Sequence, residues 1–301
     1  MMKKSSLVVA CMLVILTILS SYATGTSKVK DNIDTKIKVK NFLQEWRDAV
    51  EHGVTSQQIK DTINKLKTYK KEIDDKELLS EIDLEISRLE VLLDIMGHKD
   101  SEPEVVEIKD EYTFYPNSWR YGYKGYAKAN ATIHNHTGYA ETLTDAFAFT
   151  TAKAYTYLFL CAKFLNDVPA KVTFEGEFGY RWIALESCLG LFIDIPIYPS
   201  PRSEGDLIAE GYVYNTDDDV ISTNRFLEEK AKPSLFILLF TIGSEKKYWR
   251  YSTSLSTQYF KKGKTYEIGV YELSKSTAEG FARNQIYALW SLEKIKFTVS
   301  S

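Results

Sequence analysis

The hydrophobic pattern of the chain changes its period once. From residue 34 to residue 97, apolar side chains recur at steps of three and four residues, the spacing of one face of an amphipathic helix. Gly53 and the polar stretch around Asp74 interrupt this pattern, so it predicts three short helices joined by brief connections. The three apolar stripes are formed by Val39, Phe42, Leu43, Trp46, Ala49 and Val50, by Ile59, Ile63, Leu66 and Tyr69, and by Leu78, Ile82, Ile86, Leu89, Leu93 and Met96.

Capping signals precede the second and third helices. Thr55 and Gln58 form a capping-box pattern, and Asp74 with Glu77 stands in the same relation before the third helix. A helical segment of this size, residues 34–97, has a thin core and needs partner surface to be stable. It either packs on the rest of the chain or mediates self-association, and the size argument favours packing on the chain.

The change of period defines a boundary. Gly97 ends the third helix and Pro103 blocks its continuation, so residues 98–103 are interpreted as a linker. In residues 104–301 the period is two, and tyrosine, which suits a pleated half-buried surface, becomes abundant. The predicted fold class is α+β: an N-terminal three-helix segment followed by one antiparallel β-sandwich, jelly-roll or immunoglobulin-like.

One short stretch carries a family resemblance. In "YFKKGKTYEIGVYEL", Phe260, Gly263, Tyr266, Ile268 and Val270 occupy the places of the E–F corner that fibronectin type III and immunoglobulin-like sandwiches share. The stretch resembles that corner over fifteen residues, although it lacks the proline that precedes the glycine in fibronectin modules. The resemblance implies that the Tyr266 ring packs under the sandwich while its hydroxyl bonds to upstream backbone. It implies no activity.

The N-terminus has the pattern of a secretory signal peptide. Two lysines precede an apolar run over residues 7–19, and the small residues Ser21 and Ala23 follow, so residues 1–23 are predicted to be cleaved after Ala23. An uncleaved anchor is the alternative. The prediction places the protein outside the cell or in the cell envelope, and no later apolar stretch has the length of a membrane span.

Net charge, cysteines and glycan sequons limit the classes of partner and modification that the sequence predicts. A net charge of −3 without a basic patch argues against nucleic acid. After removal of the signal, Cys161 and Cys188 remain, and they either pair in an oxidising compartment or act as two buried thiols. Asn130 and Asn135 each begin a glycan-acceptor sequon, which fits an exposed, secreted loop.

Two pairs of side chains could support chemistry. His134 and His136 would share one face of a strand, as two metal ligands must, but the turn-forming residues around them favour a hairpin end. Glu175 and Glu177 would lie about 6.6 Å apart on one strand, close to the carboxyl separation of inverting glycosidases. The alternative for the glutamates is a pair of solvated acids on the wet face of a sheet.

Trp119, Tyr121 and Tyr123 form the remaining candidate site. These rings would share one face of a strand, where they either stack on a sugar or peptide or belong to the core. The sequence has no nucleophile elbow, zinc-protease helix or dinucleotide glycine pattern, and no cofactor is predicted.

The first hypothesis is therefore a secreted or cell-surface binding protein, not an enzyme, whose partner is a glycan or a surface protein. A carbohydrate-active hydrolase that uses Glu175 and Glu177 is the second hypothesis, and a structural envelope protein is the third.

Overall fold

The fold is described from a computed structural model that covers residues 34–97, 105–108, 113–187, 202–237, 240–280 and 282–299. The predicted signal peptide (residues 1–23), the predicted linker (residues 98–103) and Cys188 lie outside these ranges.

Three helices open the described chain: α1 over residues 34–52, α2 (Ser56–Glu72) and α3 (Lys76–Gly97). The predicted capping box is present, with the Thr55 N–H donating to Gln58 Oε1 at 2.8 Å and the Gln58 N–H donating to Thr55 Oγ1 at 3.3 Å. The cap of α3 is Asp75, and the prediction of Asp74 is wrong by one residue. Because α3 begins at Lys76, the residue directly before it accepts the free N–H groups, including that of Leu78 at 3.0 Å.

Sixteen strands follow or connect the helices in the described ranges. They are β1 (Val54–Thr55), β2 (Val106–Ile108), β3 (Thr113–Phe114), β4 (Ser118–Lys124), β5 (Ala127–His134), β6 (Thr137–Phe147), β7 (Thr150–Phe164), β8 (Val168–Ser187), β9 (Arg202–Asn215), β10 (Val220–Ala231), β11 (Leu235–Ile237), β12 (Phe240–Ser254), β13 (Gln258–Phe260), β14 (Thr265–Glu279), β15 (Ala282–Leu292) and β16 (Lys294–Val299).

The strands form two sheets that face each other as one sandwich. Sheet A has the order β1-β10-β9-β14-β7-β2, with β4 also paired to β7. Sheet B has the order β11-β12-β8-β15-β6-β5, with β13 and β16 on β8 and β3 on β16. All pairings are antiparallel except that of β2 with β7. The predicted fold class, α+β with a β-sandwich, is confirmed.

An apolar core fills the space between the sheets. Alternate residues of both sheets point into it, among them Phe174 and Phe178 from β8, Ile268 from β14 and Trp290 from β15. The period-two pattern of the sequence therefore becomes the inner face of the sandwich.

The tyrosine of the corner motif belongs to this core. Tyr266 is buried, and its ring lies edge-on to those of Phe260 and Phe164. Its hydroxyl accepts a hydrogen bond from the Lys261 N–H at 2.9 Å, and Gly263 turns the chain with a positive φ of 78°. This is the arrangement that the local resemblance implied; it establishes a β-sandwich and not membership of either family.

The sandwich interior also contains a buried carboxyl group. Glu272 of β14 accepts a hydrogen bond from the Thr142 hydroxyl at 2.9 Å and another from the Ser274 hydroxyl. Burial raises the pKa of Glu272 to about 8, although the hydroxyls of Ser274, Thr142 and Thr156 oppose part of the shift. Glu272 is therefore expected to be mostly protonated at pH 7.

The helices cover the outer face of sheet A. A second hydrophobic core joins the helical stripes to outward-facing side chains of β7, β9 and β14, including Tyr157, Phe159, Tyr212 and Tyr271. Of the two alternatives for the helical segment, packing on the chain is the one that the structure shows. The buried side chains of the helical stripes therefore contact sheet A, and self-association through the segment stays a prediction. Among the described residues, no helix is both long and apolar enough to cross a membrane.

An ionic cluster, formed by Glu85, Arg88, Glu210 and Arg225, lies within this helix–sheet interface. Arg88 donates from Nε to Glu210 Oε1 at 2.7 Å and from Nη2 to Oε2 at 2.9 Å. Tyr271 donates its hydroxyl to Glu210 Oε2 at 2.6 Å. Burial alone would raise the pKa of Glu210, but Arg88 and Arg225 lower it to about 2. The cluster ties α3 to sheet A through a fully buried carboxylate.

Candidate functional site

A cleft of about 450 Å³ opens at the side of the sandwich, at the edge of sheet B that β5 forms. Its walls come from β4, β5, β6 and β15, and it combines aromatic rings with charged and amide groups. The lining residues are Tyr121, Tyr123, Lys128, Ala129, Asn130, Glu141, Thr142, Leu143 and Tyr287.

The geometry of β4 places two of the predicted rings in this cleft. β4 pairs with β7, and Trp119, Tyr121 and Tyr123 alternate along it on one face, with 45, 48 and 59 % of their surface exposed. The interpretation of these rings as core is therefore not what the structure shows. Tyr121 and Tyr123 line the cleft, whereas Trp119 lies outside its lining.

Residues on the other face of β4, and one glycine within it, hold the strand in place. The Arg120 guanidinium lies 4.9 Å from the centre of the Phe159 ring and 3.5 Å from Glu267 Oε1. Gly122 has no side chain, and a Cβ there would clash with the Tyr155 ring. The glycine therefore lets β4 lie close to β7, and this close approach sets the position of Tyr121 and Tyr123 relative to β7.

The polar groups of the cleft come from β5 and β6. Asn130 lies opposite Glu141 across the β5–β6 pair, and Lys128 lies opposite Leu143. The Tyr287 hydroxyl of β15 donates to Glu141 Oε2 at 3.4 Å. Burial and, after it, the Glu141 carboxylate raise the pKa of Tyr287. Hydrogen-bond donors and acceptors thus surround a set of exposed rings.

Sequence reasoning did not identify Lys128, Glu141 or Tyr287 as site residues. Glu141 and Tyr287 are 146 positions apart, and only the β6–β15 pairing brings them together. The period-two alternation within each strand held no signal that these strands are neighbours.

A second, smaller depression of about 260 Å³ adjoins the cleft on the outer face of sheet B. It is lined by Leu143, Arg181, Ile183, Gln285 and Tyr287. Because Leu143 and Tyr287 line both cavities, the two form one groove that crosses the strands.

The two predicted acids lie elsewhere on the outer face of sheet B, outside both cavities. Glu175 pairs with Lys296 at 2.6 Å, and Glu177 pairs with Arg250 at 3.1 Å. Hydrogen bonds from Tyr248 and then Arg250 lower the pKa of Glu177. A glycosidase acid requires a raised pKa, so these contacts favour the interpretation of solvated, ion-paired side chains.

The histidine pair lies at a hairpin end. Asn135 and His136 form the two-residue turn between β5 and β6, with positive φ angles of 48° and 66°. His134 Nε2 lies 3.1 Å from Asn135 Nδ2, and the His136 ring contacts that of Tyr115. In the part of the chain that the structure describes, no three histidine, cysteine or acidic side chains are grouped as metal ligands.

The modification sites remain predictions. Asn130 and Asn135 are exposed, as a glycan acceptor must be, and Asn130 also lines the cleft. Cys161 is buried and its thiol is free, while Cys188 lies outside the described ranges. Burial, followed by the nearby Glu267 carboxylate, raises the pKa of the Cys161 thiol to about 11, so this cysteine is not a reactive thiolate.

No family model matches the chain, and no curated protein matches it. Among solved structures, TmCBM61 in complex with β-1,4-galactotriose is 10% identical over 62% of this chain and 91% of that chain, with a TM-score of 0.22. The family 11 carbohydrate-binding module of Clostridium thermocellum, in complex with a mixed-linked tetrasaccharide, is 8% identical over 58% and 87%, with a TM-score of 0.16. The CBM22-1-GH10 modules of the Clostridium thermocellum endo-1,4-β-D-xylanase 10B, complexed with xylohexaose, are 10% identical over 57% and 26%, with a TM-score of 0.20. These likenesses are too weak to assign the chain to a family or to transfer a ligand.

Proposed function

We propose that the protein binds a glycan in the cleft between β4, β5, β6 and β15. The observation that carries this proposal is the combination of Tyr121, Tyr123 and Tyr287 with Lys128 and Glu141 in one concave site. The apolar face of a sugar ring stacks on an aromatic ring, while its hydroxyls need donors and acceptors at the edge. The cleft presents both within a single cavity.

The proposal includes binding without catalysis. Among the described residues that line the cleft, Glu141 is the one with a carboxyl group, and it accepts a hydrogen bond from Tyr287. The other predicted acids, Glu175 and Glu177, are held in ion pairs outside the cleft. A pair of opposed carboxyl groups, which glycoside hydrolysis requires, is not offered by the lining residues. The predicted signal peptide supports a place of action outside the cell.

A glycan array followed by titration calorimetry tests the proposal. The wild-type chain is expected to bind at least one glycan, and Tyr121→Ala and Tyr123→Ala are each expected to weaken that binding about tenfold, a loss of about 1.4 kcal/mol. Tyr259→Ala is the matched control, because Tyr259 is an equally exposed tyrosine on β13, outside the cleft.

Two outcomes would contradict the proposal. One is an array on which the wild-type chain binds no glycan. The other is a glycan that Tyr121→Ala, Tyr123→Ala and Tyr259→Ala all bind as tightly as wild type, because the site would then lie on another surface.

A further inference from the structure

A row of side chains crosses five strands of sheet B at one height. Lys128 of β5 lies opposite Leu143 of β6, which lies opposite Tyr287 of β15. Tyr287 in turn lies opposite Arg181 of β8, which lies opposite Lys246 of β12. Directly opposed residues point to the same face of a sheet, so all five share the open outer face. We call these five residues the basic row.

The row is longer than either cavity alone. Neighbouring strands are about 4.8 Å apart, so Lys128 and Lys246 are separated by about 19 Å across the strands. Lys128 lines the first cleft, Arg181 lines the adjoining depression, and Tyr287 lies between them in both. A glycan that lies along the groove would therefore pass over the row, and more than one of its sugar rings would contact the row.

The three cations of the row are available to a ligand. Lys128, Arg181 and Lys246 are exposed, and none of them forms an ion pair with a described residue. Of the nearby carboxylates, Asp145 receives both arms of Arg283 at 2.9 and 2.6 Å, and Glu141 accepts the Tyr287 hydroxyl at 3.4 Å. The row is thus a positively charged strip on a chain whose net charge is −3. The sequence shows no basic patch there, because the three cations come from three strands that only the sheet register brings together.

We propose that this row makes the groove specific for an acidic glycan, one whose sugars carry a carboxylate, such as a chain of uronic acids. This inference rests on the proposed glycan-binding function and adds the ligand's charge to it. Arg181 is the residue that binds the carboxylate of the sugar, because a guanidinium donates two parallel hydrogen bonds to a planar carboxylate. Tyr287, one strand away, supplies the ring on which the adjoining sugar stacks, and Lys128 and Lys246 attract the acid groups on either side.

The test is an array of uronic-acid oligosaccharides of several linkages, each printed beside its methyl ester, which has the same rings without the charge. Wild type is expected to bind at least one acid form about tenfold or more tightly than its ester, the ratio of a charge-assisted hydrogen bond to a neutral one. Arg181→Gln is expected to remove most of this preference, measured for each chain as the ratio of its affinities for the acid and for the ester, so that a general loss of binding does not affect the readout.

Lys171→Gln is the matched control. Lys171 is an exposed residue of the same strand, ten positions and about 33 Å from Arg181. If Lys171→Gln lowers acid binding as much as Arg181→Gln does, attraction by overall charge explains the preference and the row has no specific role. Dextran sulfate and dextran provide a second pair: equal gains for sulfate and carboxylate would overturn the specificity for a carboxylate-bearing glycan, because a guanidinium also pairs with other oxyanions.

The outcomes separate this inference from the function on which it rests. If esters and acids bind equally, and both depend on Tyr121, the glycan-binding function stands and the acidic specificity is wrong. If no glycan binds, both are wrong. A preference for acids that Arg181→Gln removes and Lys171→Gln retains supports both.

Discussion

The two outer faces of the sandwich differ in what covers them, although their strands are built from the same kinds of residue. On sheet A, Tyr157, Tyr212 and Tyr271 point outward and are buried under the helices. On sheet B, Tyr248 and Tyr287 also point outward, and both are exposed. An outward tyrosine therefore becomes part of a core or part of a binding surface according to whether another layer packs on it.

The same contrast holds for one ion-pair geometry. Arg88 with Glu210 on sheet A and Arg283 with Asp145 on sheet B are both two-armed pairs, with donor–acceptor distances of 2.6 to 2.9 Å. The side chains of the first pair are 4 and 0 % exposed, and those of the second are 53 and 29 % exposed. Burial, and not contact geometry, decides what each pair contributes to stability.

The largest expected effect on stability comes from a substitution on the outer face of sheet A, which the helices cover. Arg88→Ala leaves Glu210 and Glu85 buried with fewer cations, so it is expected to lower the free energy of unfolding by about 3–5 kcal/mol. Arg283→Ala, which removes a pair of the same geometry from the open face, is expected to lower it by less than about 1 kcal/mol. Urea unfolding measures both variants, and similar losses for the two would show that the faces do not differ as described.

A second prediction concerns alkaline pH and the sandwich interior. The pKa of Glu272 is raised to about 8 in the fold, so this group's contribution to stability is fully present below about pH 4.5 and is lost as the pH rises to about 8. Glu272→Gln, which is neutral throughout, is expected to gain about 4 kcal/mol relative to wild type between pH 4.5 and pH 9. Unfolding curves at the two pH values measure this gain. If the free energies of unfolding of the two chains differed by the same amount at both pH values, the raised pKa of Glu272 would be refuted.

The helix–sheet interface is expected to respond to acid instead. The pKa of Glu210 is lowered to about 2, so its contribution is present above about pH 4.5 and is lost as the pH falls towards 2. Wild type should lose about 3 kcal/mol relative to Glu210→Gln over that window. Circular dichroism during thermal unfolding at a series of acidic pH values measures the loss, and parallel curves for the two chains would contradict it.

The smallest expected effect on stability comes from removing a single tyrosine hydroxyl, and it differs between the two faces. Tyr271→Phe removes the hydroxyl that donates to buried Glu210 and is expected to cost about 1–2 kcal/mol of stability. Tyr287→Phe removes a hydroxyl from the open face and should leave the thermal midpoint unchanged while it weakens glycan binding. The comparison fails if Tyr287→Phe destabilises the chain as much as Tyr271→Phe does.

Local patterns predicted much of this fold. The stripes of α1 to α3, the Thr55–Gln58 capping box and the buried ring of Tyr266 all depend on residues close together in the chain, and sequence spacing describes such contacts well. Spacing cannot show which face of a sheet a helix will cover, because Tyr271 and Tyr287 occur in similar alternating stretches. The capping residue Asp75 was missed by one position, since adjacent aspartates carry the same signal.

The candidate site was predicted only in part for the same reason. Tyr121 and Tyr123 could be found because they alternate on one strand. Lys128, Glu141, Tyr287 and Arg181 come from four other strands, and only the register of sheet B joins them. No pattern within a single strand contains that register.

Hydrogen–deuterium exchange of the wild-type chain, with and without a glycan selected on the array, tests the central claim most directly. We predict added protection in peptides from β4, β5, β6 and β15, and unchanged exchange in α2, α3 and β14. Protection confined to the helices, or to peptides around Glu175 and Glu177, would contradict the claim that the open face of sheet B is where this protein binds.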